Sequence, residues 1–249
     1  MVPDDLESPD VCAASDPDSP TLLSRTRREF LGSAGAGVAA LAAVALPHWP
    51  ADGLPAFGPM PTVAGHRVAT PWSDAWLDKI NGKHKQFFDG VTFNEGFVLA
   101  FAAGFLNLNH EAYGLTDKDL TAVVGFRHFA MPMALPDAMW EKYKIGEAMK
   151  VVDPATKANA VRNPFAHADG VRMPGSDIPT LVGRGVIFTV CNVALTVISG
   201  MLASNAGVTG DAAKQEWTQS LMPGMNLVPV GVLAVNRAQE RGCTYCYGG

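Results

Sequence analysis

Four places in the sequence carry residue types that could do chemistry. Cys191 closes the apolar run "GVIFTVC" and is followed at once by Asn192 and a helical pattern. Arg127 and His128 close a second apolar run, "LTAVVGFRH". The segment "DGVTFNEG" gathers Asp89, Thr92, Asn94 and Glu95, and Cys243 and Cys246 lie three apart in "CTYCYGG". A thiol at the point where a strand gives way to a helix sits near free helix N–H groups and the positive end of the helix dipole, both of which favour thiolate over thiol. That chemistry suits a nucleophile or a sulfur carrier. The same position equally suits the last apolar residue of a buried strand, since free cysteine is among the most buried residue types. Near Cys191, His128 could donate or accept a proton and Arg127 could hold an anion such as a sulfur oxyanion. The competing expectation for Arg127 is an ion pair with a local carboxylate such as Asp137 or Glu141.

The remaining chemistry-bearing types point less far. If "CTYCY" is a strand, Cys243 and Cys246 face opposite sides of it, which suits packing better than a redox pair or half a metal site. His84, His110 and His167 share no spacing that suggests a metal, and none is expected. The chain has no GxGxxG or GxxxxGK(S/T) phosphate loop and no GxSxG hydrolase elbow, and no cofactor is expected.

The elements that must position these residues alternate between strand and helix signals. After a short helix at "WSDAWLDKI", the runs "HKQFFDGV", "LTAVVGFRH", "GVIFTVC", "MNLVPVG" and "CTYCY" read as strands. Between them lie helical patterns at "NEGFVLAFAAGFLNLNHEAYG", "PDAMWEKYKIG", "NVALTVISGMLASN", "DAAKQEWTQSL" and "VLAVNRAQERG". In the first helix Phe97, Phe101, Phe105 and Leu108 recur at helical spacing and are expected to form the core face, ending at a C′ glycine, Gly114. Residues 150–180, dense in Pro, Gly, Asp and Asn, read as a long loop inserted in the domain. The expected fold class is α/β, an open parallel sheet of about five strands with helices on both faces, in flavodoxin/Rossmann-type layering. In such a sheet ligand chemistry gathers outside the carboxyl ends of the strands, where Cys191, Arg127 and His128 are expected to lie.

Composition sets outer bounds. The chain has 249 residues, 48% of them hydrophobic, and a formal charge of −5. Eight acids and three bases fall in residues 1–56, leaving sixteen of each in the remainder. A neutral body without Lys/Arg clusters gives no support to nucleic-acid binding. The N-terminal "SRTRREFLGSAGAGVAALAAVALPHWPADGLPA" pairs Arg27 with Arg28, follows them with Phe30 and Leu31, and runs into a weakly apolar stretch rich in Ala and Gly. This resembles a twin-arginine export signal, with the translocation machinery as partner and a periplasmic destination, or a membrane anchor if the signal stays uncleaved. The expected organisation is a leader and signal at 1–56, a linker and short helix at 57–83, and the α/β domain at 84–249. The acidic leader and its Cys12 are expected to be discarded.

From about His84 onward the pattern resembles the DsrE/DsrF-like superfamily of small α/β domains implicated in sulfur transfer. The residues that carry the resemblance are "VIFTVCNVAL", "PGMNLVPVGVLAVNRAQERGCTY" and the unit "TDKDLTAVVGFRHFAMPMALPDAMWEKYKIG". The resemblance implies that Cys191 occupies the place where sulfur-relay members carry a persulfide, with strand one lying between the strands that end in His128 and Cys191. The 89–96 loop would then supply lining groups, with Asn94, Glu95 and Asn192 as substrate-binding residues. Two functions follow. One is a periplasmic thiol protein that takes sulfane sulfur onto Cys191, assisted by His128 and Arg127, from a small sulfur compound or a donor protein. The other is a non-catalytic ligand-binding or assembly module with a structural Cys191. Apolar helices at 186–202 and 231–241 lead to the further expectation of a homo-oligomer.

Overall fold

The computed structural model describes residues 72–249. Cys12, the twin-arginine residues Arg27, Arg28, Phe30 and Leu31, and the leader as a whole lie outside the described residues. A 3-10 turn at Ala75–Lys79 leads to β1 (His84–Gly90), α1 (Phe97–Tyr113) and β2 (Leu120–Phe126). A 3-10 helix over His128–Ala134 and two short helices, α2 (Asp137–Lys142) and α3 (Ile145–Ala148), come next. Beyond an irregular stretch lie α4 (Ile178–Gly183), β3 (Ile187–Cys191), α5 (Asn192–Leu202), α6 (Gly210–Gln219), β4 (Met225–Val228), α7 (Gly231–Glu240) and β5 (Thr244–Tyr247).

The five strands form one sheet in the order β4-β3-β2-β1-β5, and every neighbouring pair is parallel. The α/β class and the open parallel sheet expected from the sequence are therefore present. The expected strand order is not. β1 does not lie between β2 and β3; instead β2 lies between β1 and β3. The difference lies at β3, which pairs directly with β2, so that β1, β2, β3 and β4 run side by side in chain order, as consecutive strands most often do. β2 is also the strand whose seven residues are all buried, as a central strand covered on both faces must be.

Alternation along the strands splits the core into two layers. Phe88, Val124 and Phe188 join the larger layer beneath α1, α5 and the 128–134 turn. Phe87, Val123 and Ile187 join the smaller layer with Trp76, Leu77 and the Ala234/Ala238 face of α7. Gly125 makes this second layer possible, because a Cβ there would lie 2.5 Å from the tip of the Phe87 ring. Cys243 belongs to the smaller layer and Cys246 packs against the larger one, so the two cysteines do face opposite sides, and both are free.

The core face of α1 corrects the sequence expectation. Val98, Leu99, Ala102, Ala103 and Leu106 are buried, whereas Phe101 is 42% and Leu108 62% exposed. Phe105 is half-buried against Phe88, and Phe97 leans on Phe101. The helix is apolar nearly all round from Phe97 to Leu106, so spacing alone could not choose a face. Small side chains at Ala102 and Ala103 bring the backbone close to the sheet, and the bulkier phenylalanines rotate outward. Gly114 does end the helix, in a left-handed conformation with φ 63°.

The 150–180 insertion is anchored at several points. Asn163 is fully buried, and its Nδ2 donates to the carbonyls of Met133 at 2.9 Å and Leu135 at 2.8 Å. Its Oδ1 accepts from the Phe165 N–H, which starts a turn at Pro164–Ala166. Arg162 joins Asp153 and Asp169, each at 2.9 Å, and His167 pairs with Asp137 at 2.9 Å.

Candidate functional site

Each strand of a parallel sheet ends at the same edge, so the candidate residues can be placed strand by strand along it. Cys191 ends β3 and caps α5, with Sγ accepting from the Ala194 N–H at 3.4 Å. Among the described residues this is the one hydrogen bond at the thiol. The residue is 4% exposed and belongs to the larger apolar layer. Its position at the junction of β3 and α5 is the one expected from the sequence, while its burial seals it from solvent.

Arg127 follows β2 and makes a two-pronged pair with Asp89 at the end of β1. Nε donates to Oδ1 and Nη2 to Oδ2, both at 2.8 Å. The Tyr245 hydroxyl, from β5, donates to Asp89 Oδ2 at 2.8 Å. Asp89 is 1% exposed, so one buried carboxylate ties the ends of three adjacent strands. The hydrogen bond to Asp89 holds the Arg127 pKa above its ordinary value. Burial, then the bond to Asp89, pushes the Tyr245 phenol up. Arg127 therefore does have a carboxylate partner, but it is Asp89 rather than Asp137 or Glu141. Asp137 is engaged instead by His167 and by the Asn163 N–H.

His128 holds a left-handed backbone, φ 49°. Its ring meets Phe129 edge-on with centroids 4.2 Å apart. Desolvation of the ring, followed by the adjacent Arg127 charge, lowers its pKa. No hydrogen bond joins His128 or Arg127 to Cys191 among the described residues. Asn192 begins α5, and its carbonyl accepts from the Thr196 hydroxyl. On β5 and just before it, burial pushes the thiol pKa values of Cys246 and Cys243 up, with Lys85 opposing the shift at Cys243.

A cleft opens outside the carboxyl end of β1. It measures about 750 Å³ and lies between the 92–95 loop and two stretches of the insertion, 149–157 and 164–172. Asn94 and Glu95 line it, as do Phe93 and Phe165, whose rings stack with centroids 5.9 Å apart. Cys191, Arg127, His128 and Asn192 do not. The structure thus divides the residues expected to form one site into a sealed thiol, a strand-tying ion pair and a separate cleft. Asn94 Nδ2 donates to the Gly248 carbonyl at 3.2 Å, and Glu95 forms an ion pair with Arg172. Arg172 also lies over the Phe97 ring, 5.4 Å from its centroid.

Backbone geometry concentrates at this cleft. Of six non-glycine residues with positive φ among the described residues, four line it: Asn94, Glu95, Lys150 and Lys157. Such conformations are uncommon for residues with a side chain. Behind the 92–95 loop the Gly249 carbonyl accepts from the N–H groups of Val91 at 2.6 Å and Thr92 at 2.8 Å. The Gly248 N–H donates to the Asp89 carbonyl at 2.9 Å. A Cβ on Gly248 would stand 2.7 Å from Val98, and one on Gly249 would strike Asn94. The two glycines form a strap that holds the loop in place.

Of the residues that line the cleft, sequence reasoning named Thr92, Asn94 and Glu95 but not Lys150, Lys157, Arg172, Phe93 or Phe165. The available signal was the insertion itself, since a long irregular stretch inside a compact domain tends to be functional. No set of three or more His, Cys, Asp or Glu side chains that could hold a metal is present among the described residues. Comparison of the chain with protein-family models, characterised proteins and solved structures finds no match.

Proposed function

We propose that this chain is an exported, DsrE-like α/β protein that works as a small-ligand-binding module, with its site in the cleft outside β1 and Cys191 in a packing role. The observation that carries this reading is the cleft. Its volume falls in the range of small-molecule pockets, it stands at the edge where open parallel sheets bind ligands, and a built support lies beneath it. The sealed Cys191 side chain argues in the same direction. Native mass spectrometry of protein recovered from the periplasm tests the reading. A small adduct released on denaturation is expected, and Val152→Trp, which fills the cleft from an exposed lining position, is expected to lose it. An adduct that persists in Val152→Trp would place the ligand elsewhere.

One observation favours a second reading, sulfur transfer. Cys191 stands at a strand end as the cap of α5, with a backbone N–H on its sulfur. In that reading the thiolate attacks the outer sulfur of thiosulfate, forming the Cys191 persulfide and releasing sulfite. His128 and Arg127 would assist the charge movement. Alkylation at pH 7 separates the two. The binding-module reading expects Cys191 to stay unmodified in the native protein and to react once unfolded, whereas the carrier reading needs rapid native reaction and persulfide uptake that Cys191→Ser abolishes.

A homo-oligomer belongs to the same proposal. Val193, Val197 and Met201 repeat every fourth residue along α5 and are exposed, as are Val232 and Leu233 on α7. Light scattering at micromolar concentration is expected to give a multiple of the chain mass, and a single monomeric mass would count against it.

A further inference from the structure

We infer that the cleft takes an organic anion, one acidic head group on an apolar or aromatic body, and this rests on the cleft being the binding site. The floor and the rim of the cleft differ in chemistry. Phe93 and Phe165 present stacked rings, and Val151, Pro154 and Val171 extend the apolar lining. Lys150, Lys157 and Arg172 bring three cations to the same concavity, against one lining carboxylate, Glu95.

The pairing pattern leaves positive charge uncommitted. Glu95 is taken by Arg172. The two acids flanking the lining stretches, Asp153 and Asp169, are both taken by Arg162. No ion pair among the described residues involves Lys150 or Lys157. Each of these lysines also holds a left-handed backbone, φ 56° and φ 60°, where glycine would sit without strain. Unpaired ammonium groups beside an apolar floor attract an anion, and partial removal of water strengthens that attraction. The apolar body then supplies area burial that a bare inorganic anion could not. A purely neutral ligand would use the floor and leave the lysines idle.

Two fluorescent probes test the class on the full chain: anilinonaphthalenesulfonate, an aromatic anion, and phenylnaphthylamine, its neutral counterpart. The sulfonate is expected to bind one per chain. Lys150→Gln combined with Lys157→Gln is expected to weaken it about tenfold, the scale of two lost charge-assisted contacts, while binding of the neutral probe stays unchanged. Added salt is expected to weaken the sulfonate alone. Val152→Trp is expected to abolish the binding of both, and circular dichroism checks that each variant is folded. If the lysine substitutions leave sulfonate binding unchanged while Val152→Trp still removes it, the anion assignment is overturned and the cleft remains the site. If neither probe binds saturably, or Val152→Trp binds both as the parent does, the cleft reading itself is overturned.

Discussion

Asp89 shows how one residue can be mistaken for part of a site. From sequence it stands beside Thr92, Asn94 and Glu95 in a loop that looks like a lining segment. In the fold its carboxylate is buried beneath the guanidinium of Arg127 and the hydroxyl of Tyr245. Removing the cation would leave a buried charge with one donor. Arg127→Met is therefore expected to destabilise the domain by roughly 3–5 kcal/mol, the usual cost of orphaning one partner of a buried pair. Urea unfolding measures it, and a loss no larger than that of an ordinary surface substitution would show that Asp89 is solvated after all. Arg127→Lys is expected to recover only part of the loss, because an ammonium cannot reproduce the fork.

At the scale of elements, the strands and most helices were legible because their patterns are local. The five apolar runs became the five strands, and Gly114 and the Cys191 junction fell where the patterns said they would. Three features were not legible, for different reasons. The 128–134 turn contains Pro132, which no simple helical pattern admits. The outward phenylalanines of α1 follow from tertiary fit, which outweighs spacing in a helix apolar on every side. The cleft joins Asn94 to Arg172, far apart in the chain, so no local pattern encodes it. Its framing depends on Asn163, whose amide ties the insertion to the 133–135 backbone. Asn163→Ala is expected to cost roughly 1–3 kcal/mol for the carbonyls left unsatisfied. It should also speed amide exchange across 150–172 more than in β2. Uniform protection across the chain would mean that the insertion is held by other contacts.

For the whole molecule, acid stability follows from paired carboxylates. Asp117 is held below its ordinary pKa by hydrogen bonds from Arg184, Asp169 by Arg162 and Glu216 by Lys142 and then Tyr143. In each case the unfolded state binds the proton more readily. Their stabilisation is therefore complete above the unfolded carboxylate pKa of about 4 and is lost as pH falls through the lower folded values. The urea midpoint is expected to drop as pH falls below about 4, and Arg184→Gln should lower the neutral plateau while flattening that drop. An unchanged slope would remove the Asp117 pair from the account. The twin-arginine proposal belongs to the same scale. Changing Arg27 and Arg28 together to Lys is expected to leave folded protein in the cytoplasm, and undiminished periplasmic recovery would refute it.

The glycine strap also sets a timetable. Asn94 and the 91–92 N–H groups take their positions from Gly248 and Gly249, which follow the final strand of the sheet. During synthesis β1 and α1 emerge early, yet the loop between them has no template until β5 has docked beside β1. The cleft accordingly waits for β5, and without that strand the lining residues would be present without the strap that fixes the 92–95 loop.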